Sequence, residues 1–313
     1  MGRALIAAVA LAAGLAAAPL VPAAAAPAPP GFVFRTFDVP GATGTQVNGV
    51  NDGGVIDGSF IDASGQRGFV DSAAAGLVRF DFPGTSGVTQ AFAIDNAGDV
   101  VGVYADAAGA SHGFRRSPGG AITALPPAPG AGTGSGQGTF PTGITDSGEI
   151  VGFSVGPDGV AHGYAQSPDG RFTVINAPGA GAAAGQGTFL FSVDDRGVIC
   201  GGYVTAGNVE FGLVDRGGHF TSIDDPATPQ NAAGGTDADG FARGVMVGDY
   251  IDANGGELGY LDRGGRFLAV ADPAGSDAPG RGTVITATND QLTLAGFYIT
   301  SSGADHGLLA HPR

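Results

Sequence analysis

Gly143-Ile144-Thr145-Asp146-Ser147-Gly148-Glu149-Ile150-Val151-Gly152, with His162-Gly163-Tyr164 following, is the stretch that decides the fold of this chain. An apolar residue leads into an Asp-Ser-Gly cluster, and a β-branched run then ends on glycine. Apolar runs on either side of such a cluster read as two strands joined by a tight turn. The pattern recurs as Gly49-Val50-Asn51-Asp52-Gly53-Gly54-Val55-Ile56-Asp57-Gly58 and as Ala93-Ile94-Asp95-Asn96-Ala97-Gly98-Asp99-Val100-Val101-Gly102. The closing glycine falls at Gly58, Gly102, Gly152, Gly201, Gly248 and Gly296, spaced 44, 50, 49, 47 and 48 residues apart. A second glycine, at Gly68, Gly113, Gly163, Gly212, Gly259 and Gly307, follows 11 residues later in every repeat but the first, where the gap is 10. A fixed inner spacing with a variable outer one predicts a constant hairpin joined by tolerant loops.

Each repeat carries four strand-like runs, as in residues 171–175, 187–193, 198–203 and 210–214. Four short strands in a unit of this length match one propeller blade. The sequence therefore predicts an all-β chain, a six-bladed β-propeller with four antiparallel strands per blade. Three of the connections have the Asx and glycine chemistry of hairpins, at 51–54, 106–109 and 215–218. The fourth, at 129–138 and 178–187, is long and rich in Gly and Ala. The blade is thus expected to be offset from the repeat, with the strand at 32–39 closing the last blade and leaving no free edge.

The domain boundaries follow. A single positive charge at Arg3, an apolar run over 4–18 and small residues at 23–26 read as a secretory signal peptide over 1–26. A short Pro-rich linker covers 27–31, and one propeller domain covers 32–313, divided into repeats 32–76, 77–120, 121–170, 171–218, 219–265 and 266–313. The expected location is extracellular, or periplasmic in a host with an outer membrane. With 14 Lys+Arg against 29 Asp+Glu the chain has a formal charge of -15. That makes nucleic acid an unsuitable partner, and no run after the signal is suited to membrane insertion. The lone Cys200 allows no intramolecular disulfide, so a monomer stabilised by its apolar core is expected.

These motifs resemble the bacterial extracellular repeat called HAF, whose unit has the form G-I-N-D-x-G-x-V-V-G-Y followed by H-A-F. The likeness covers 32–313, with glycine in place of the central alanine in His112-Gly113-Phe114. The resemblance implies export. It brings no activity and no functional residues.

The residues that could carry chemistry are few. His112, His162 and His306 share one repeat position in three different blades, and so read as packing residues rather than as a joint metal site. The turn acids Asp52, Asp95, Asp146, Asp195 and Asp290, with Ala242 in the fifth repeat, offer one or two oxygen ligands per turn, whereas calcium takes six to eight. Capping the turn accounts for them. No G-x-S-x-G, H-E-x-x-H or Cys–His arrangement occurs. Cys200 stands where Val101, Val151, Val247 and Ala295 stand, and reads as a small buried hydrophobe.

The inter-blade loops are Gly, Ala, Thr and Pro, with Asp277 and Arg281 nearly their only ionisable groups. The candidate binding face is accordingly Thr142, Thr188, Thr236, Asp277, Arg281 and Thr283, with Ser192 and Thr286 also expected to face the channel. The chain is expected to need no cofactor and to be a non-catalytic secreted protein that binds a glycan or protein. A polysaccharide-acting hydrolase or lyase and a calcium-stabilised adhesive module are the alternatives.

Overall fold

The computed structural model describes residues 31–85, 87–226, 228 and 235–313. The expected signal peptide and nearly all of the linker lie outside them. All regular elements among the described residues are strands.

β1 (Phe32–Phe37) is followed by β2 (Gly44–Val50), β3 (Ile56–Asp62), β4 (Gly65–Ser72) and β5 (Gly76–Phe80), which pair in order as an antiparallel meander. The same arrangement recurs in β6 (Thr89–Ile94), β7 (Val100–Ala105), β8 (Ser111–Arg116) and β9 (Ile122–Ala124). It recurs again in β10 (Gly138–Ile144), β11 (Ile150–Val155), β12 (Ala161–Gln166) and β13 (Phe172–Ile175). A fourth set is β14 (Gly187–Val193), β15 (Val198–Val204), β16 (Glu210–Arg216) and β17 (Phe220–Ile223). A fifth is β18 (Gly240–Ala242), β19 (Val245–Ile251), β20 (Glu257–Asp262) and β21 (Phe267–Val270). In the sixth, β22 (Gly282–Thr288), β23 (Leu294–Ile299) and β24 (Asp305–Pro312) are completed by β1, which pairs with β24 from Phe32↔Pro312 to Phe37↔Gly307.

The first strands of the sets, β2, β6, β10, β14, β18 and β22, each lie against the next, and β22 lies against β2. The hydrogen-bonded sheets themselves do not run on into one ring. Side chains make the join. Asn48 Nδ2 donates to Ala91 O (2.7 Å), Thr142 Oγ1 to Leu190 O (2.6 Å) and Thr286 Oγ1 to Val47 O (2.9 Å), each bond passing from one inner strand to the next. Apolar clusters fill the space between sets, as where Cys200 and Val214 of the fourth pack with Met246, Tyr250 and Tyr260 of the fifth.

The repeated glycine now has a physical cause. The inner strands slip register by one residue, between Val47 and Gly49, Ala91 and Ala93, Pro141 and Gly143, Leu190 and Ser192, and Ile285 and Ala287. Such a bulge bends the strand and turns one side chain away from the regular alternation. It also drives an inner-strand carbonyl against the second strand. A Cβ at Gly102 would stand 2.0 Å from Gln90 O, one at Gly152 2.0 Å from Phe140 O, and one at Gly296 2.0 Å from Val284 O. Only glycine lets the two backbones approach so closely.

A threonine opens each inner strand and holds the loop that enters it. The backbone N–H groups of Val39, Phe82, Ala128, Ala177, Asp225 and Asp272 donate to Oγ1 of Thr45, Thr89, Thr139, Thr188, Thr236 and Thr283 at 2.9–3.1 Å. All six threonines are buried. Thr188→Val keeps the shape but leaves the buried Ala177 N–H without its acceptor, which costs about 1–3 kcal/mol. Urea unfolding is expected to show that loss for Thr188→Val and little change for Thr188→Ser.

Candidate functional site

The inner strands run from these threonines to the turns that lead into the second strands. At the turn end, residues from all six sets converge on one cavity of about 240 Å³. The bulge supplies its inner wall. The bulged positions carry Asn48, Phe92, Thr142, Phe191 and Thr286, and all five line the cavity together with Asp239 of the fifth set. There the register shifts by one between Thr236↔Tyr250 and Gly240↔Val247, so Asp239 occupies the corresponding place.

The rim is a circle of polar side chains, one from each set: Asp52, Asn96, Asp146, Asp195, Arg243 and Asp290. Backbone N–H groups of one turn donate to the side chain of the next. Asp52 N donates to Asn96 Oδ1, Asn96 N to Asp146 Oδ1, Asp146 N to Asp195 Oδ1 and Asp290 N to Asp52 Oδ1, each at 2.8 Å. Asn96 Nδ2 bridges Asp52 Oδ2 and Asp146 Oδ2 at 3.0 Å. Arg243 Nε stands 3.5 Å from Asp290 Oδ2. The fifth set departs from the acid pattern because its turn is shorter. Arg243 and Gly244 both have positive φ (51° and 78°), the conformation of a two-residue hairpin turn.

The turn acids thus hold two different positions. Asp95 and Asp194 cap their own turns, accepting from Asp99 N and Val198 N at 2.8 Å, as Asn51 Oδ1 does from Val55 N and Asn289 Oδ1 from Thr293 N. Capping of this kind was expected for Asp52, Asp146, Asp195 and Asp290 as well. Those four instead reach across to a neighbouring set or accept from one. Burial raises the Asp195 carboxyl above its usual range, and the negative charge of Asp146 pushes the same way.

Beneath the rim lies Asp239, 1% exposed, to whose oxygens no described N–H or O–H donates. Its carboxyl hydrogen-bonds that of Asp249, and burial first, with the charges of Asp249 and Asp237 after it, pushes Asp239 well above the carboxylate range. Asp249 is raised too, again by burial first. Seven aspartates and two arginines line the cavity, so its potential is negative.

The residues proposed from sequence divide between the two ends of the inner strands. Thr142, Ser192 and Thr286 line the cavity. Thr188, Thr236 and Thr283 do not present a face: they are the buried loop latches at the opposite end, their hydroxyls already engaged. Asp277 is exposed in the loop at that end, and the Arg281 guanidinium packs against Gly303. The sequence alone leads to the rim acids being weighed as calcium ligands and assigned to turn capping, with a binding face sought in the inter-set loops, although the rim position repeats through all six units.

The three histidines lie in three separate sets. His112 stacks on Tyr104 and its Nε2 meets Asp106 Oδ2 at 2.8 Å; His306 stacks on Tyr298 and its Nδ1 meets Asp38 Oδ2 at 2.9 Å; His162 Nδ1 meets Asn176 Nδ2 at 3.2 Å. Among the described residues no group of three or more His, Cys, Asp or Glu is arranged to hold a metal ion. Cys200 is buried at 1% exposure and burial pushes its thiol up to about 12, which leaves it unreactive.

No protein-family model matches the chain, and no curated protein matches it. Among solved structures it is similar to a mutant of the Aleuria aurantia lectin in complex with Fucα1-6GlcNAc, at 9% identity and a TM-score of 0.50, covering 83% of this chain and 89% of that one. Another structure of that lectin, described as a six-bladed β-propeller, gives 9% identity and a TM-score of 0.47 over 82% and 88%. Virginiamycin B lyase from Staphylococcus aureus gives 11% and 0.48 over 90% and 99%. The likeness shows the fold, a β-propeller.

One buried acid outside the cavity lining is a liability rather than a tool. Asp57 stands on β3 where other repeats have Val101, Val151, Cys200, Val247 and Ala295. It is fully buried, neither oxygen has a partner among the described residues, and its Oδ1 fills the space a Cβ of Gly49 would take. Burial pushes its carboxyl up to about 8. The folded chain therefore favours the protonated form, and stability falls as pH climbs from the ordinary carboxylate range towards 8, by roughly 5 kcal/mol over the interval. Valine faces glycine at the equivalent Gly143–Val151 and Gly240–Val247 pairs. Asp57→Val is expected to stabilise the protein by several kcal/mol at pH 8 and by much less at pH 4.5. Denaturant unfolding at the two pH values measures it.

Proposed function

We propose that the chain is an exported six-bladed β-propeller of the HAF type, each four-strand set being one blade, and that it works by binding a small extracellular ligand, a glycan, in the axial cavity without turning it over. The observation that carries this reading is the convergence of six inner strands on one cavity, with bulges that aim one side chain per set into it. Cavities with a few convergent polar groups and apolar walls are where small ligands bind.

Catalysis is the weaker reading of the same residues. Hydrolysis of a glycosidic bond uses two carboxyl groups that flank the substrate. Of the buried pair, Asp239 lines the cavity while Asp249 is absent from its wall. The rim carboxylates are tied to neighbouring backbone N–H groups.

The test compares the protein with Ser192→Phe, which places a ring in the cavity from a position held by Ala93 and Ala287 in other repeats. Glycan-array retention is expected for the natural protein and at least tenfold weaker binding for the variant, with unchanged unfolding. Release of reducing ends from a polysaccharide, abolished by Asp239→Asn, would replace this reading with a catalytic one.

A further inference from the structure

The cost that Asp57 imposes falls at one place, where the first set meets the second. Asp57 stands opposite Gly49 on β2 and Val70 on β4. A Cβ at Gly49 would meet Asp57 Oδ1 and would stand 3.3 Å from Ala93 Cα of the second set. Gly49 and Ala93 both line the axial cavity, so the carboxyl lies directly behind its wall. Its surroundings are apolar: Val70 packs with Ala91, Ile94 and Phe114 of the second set. β2 and β6 carry no titratable side chain. On β4, Arg67 is engaged by Asp81 and Asp62, and Asp71 falls on the other face of the strand from Val70. Tyr104 of β7 stacks on Phe82. On β8, His112 meets Asp106, Arg115 pairs with Asp99 and Arg116 lies over Phe80. Burial alone raises the Asp57 carboxyl, and no neighbouring charge adds to it.

The seam is lightly tied. Among the described residues its strand pairing is the bridge Gln66↔Val88, and the Asn48 and Asn51 amides and the Asp52–Asn96 pair supply side-chain bonds across it. We propose that this seam is a pH-dependent joint: with Asp57 neutral the two sets close on it as on valine, and with Asp57 ionised they part at Gly49 and Ala93 to admit water. Resting on the binding role argued above, the site is then intact at acidic pH and weakened at mildly alkaline pH. The protonated carboxyl is similar in size to the valine that stands there in other repeats. The carboxylate has no donor from another residue to answer it, and water is its remaining partner. Opening releases a proton, because the closed form holds the carboxyl up at about 8 and water returns it to its ordinary range. The open population therefore rises about tenfold per pH unit between the two and levels off above the higher one.

Hydrogen–deuterium exchange at pH 5 and pH 8, corrected for intrinsic rates, reads the joint without any ligand. Relative to Asp57→Val, segments 44–66 and 88–102 of the natural protein are expected to exchange roughly tenfold faster or more at pH 8 and alike at pH 5. Segment 187–202, where Cys200 holds the equivalent place, is expected to show no such change. Asp57→Asn is polar but has no proton to lose, and is expected to show no gain with pH whatever its overall stability. No gain, a gain equal in all six sets, or the same gain in Asp57→Asn would overturn the joint. On the glycan array, retention by the natural protein is expected to be at least tenfold weaker at pH 8 than at pH 5, and alike at both in Asp57→Asn. Retention unchanged by pH while exchange changes would overturn the link to the site. Retention absent at both pH values would overturn the binding role and leave the joint standing on the exchange result.

Discussion

The one-residue bulge in the inner strands is the constraint on which the rest depends. By inserting a residue it pushes a carbonyl towards the second strand, and glycine at Gly58, Gly102, Gly152, Gly201, Gly248 and Gly296 is what lets that carbonyl approach to about 2 Å of where a Cβ would be. The same bulge rotates Asn48, Phe92, Thr142, Phe191 and Thr286 out of the sheet alternation and into the axial cavity. A fold requirement and a site requirement therefore meet in one local distortion. This is the usual service of a bulge beside a site: it re-aims a side chain that a regular strand would bury.

Closure of the ring relies on a different interaction. No continuous hydrogen-bonded sheet passes around it. Neighbouring inner strands are joined by side chains that donate to backbone carbonyls across the gap, and by backbone N–H groups that donate to rim carboxylates. The bonds from Asn289 Nδ2 to Asn51 O and from Thr286 Oγ1 to Val47 O tie the last set to the first. β1 on β24 supplies the outermost strand of that last set from the other terminus. Polar groups near the axis are thus satisfied by the assembly and not by any single repeat.

The two ends of the inner strands have divided roles. At the loop end, threonine hydroxyls are consumed in holding the incoming chain, and no free polar group is left there by the six of them. At the turn end, acids accumulate, because the residue one place beyond the turn cap meets the neighbouring set in every repeat but the fifth. The fifth repeat breaks the symmetry twice, with Arg243 in the rim and Asp239 at the floor. Asp57 breaks it a third time, in the first repeat. Deviations from a repeat are where a symmetric scaffold acquires a direction.

The six units, their four strands and the hairpin turns were legible in the sequence, because glycine spacing and Asx-Gly turns act over a few residues and leave a periodic mark. The offset between repeat and strand set was legible too, from loop length alone. What the sequence could not display was which way a side chain points from a bulged strand. Thr142, Thr188, Thr236 and Thr283 look alike as residues of inner strands, yet Thr142 faces the cavity while the other three are latched beneath loops. Nor did Asp52 and Asp95, adjacent in kind and both in turns, announce that one spans two sets and the other caps its own. Local chemistry determined the repeat and its strands. Tertiary structure decided the site, because a ring of side chains separated by nearly fifty residues along the chain exists only once the six inner strands are brought around a common axis.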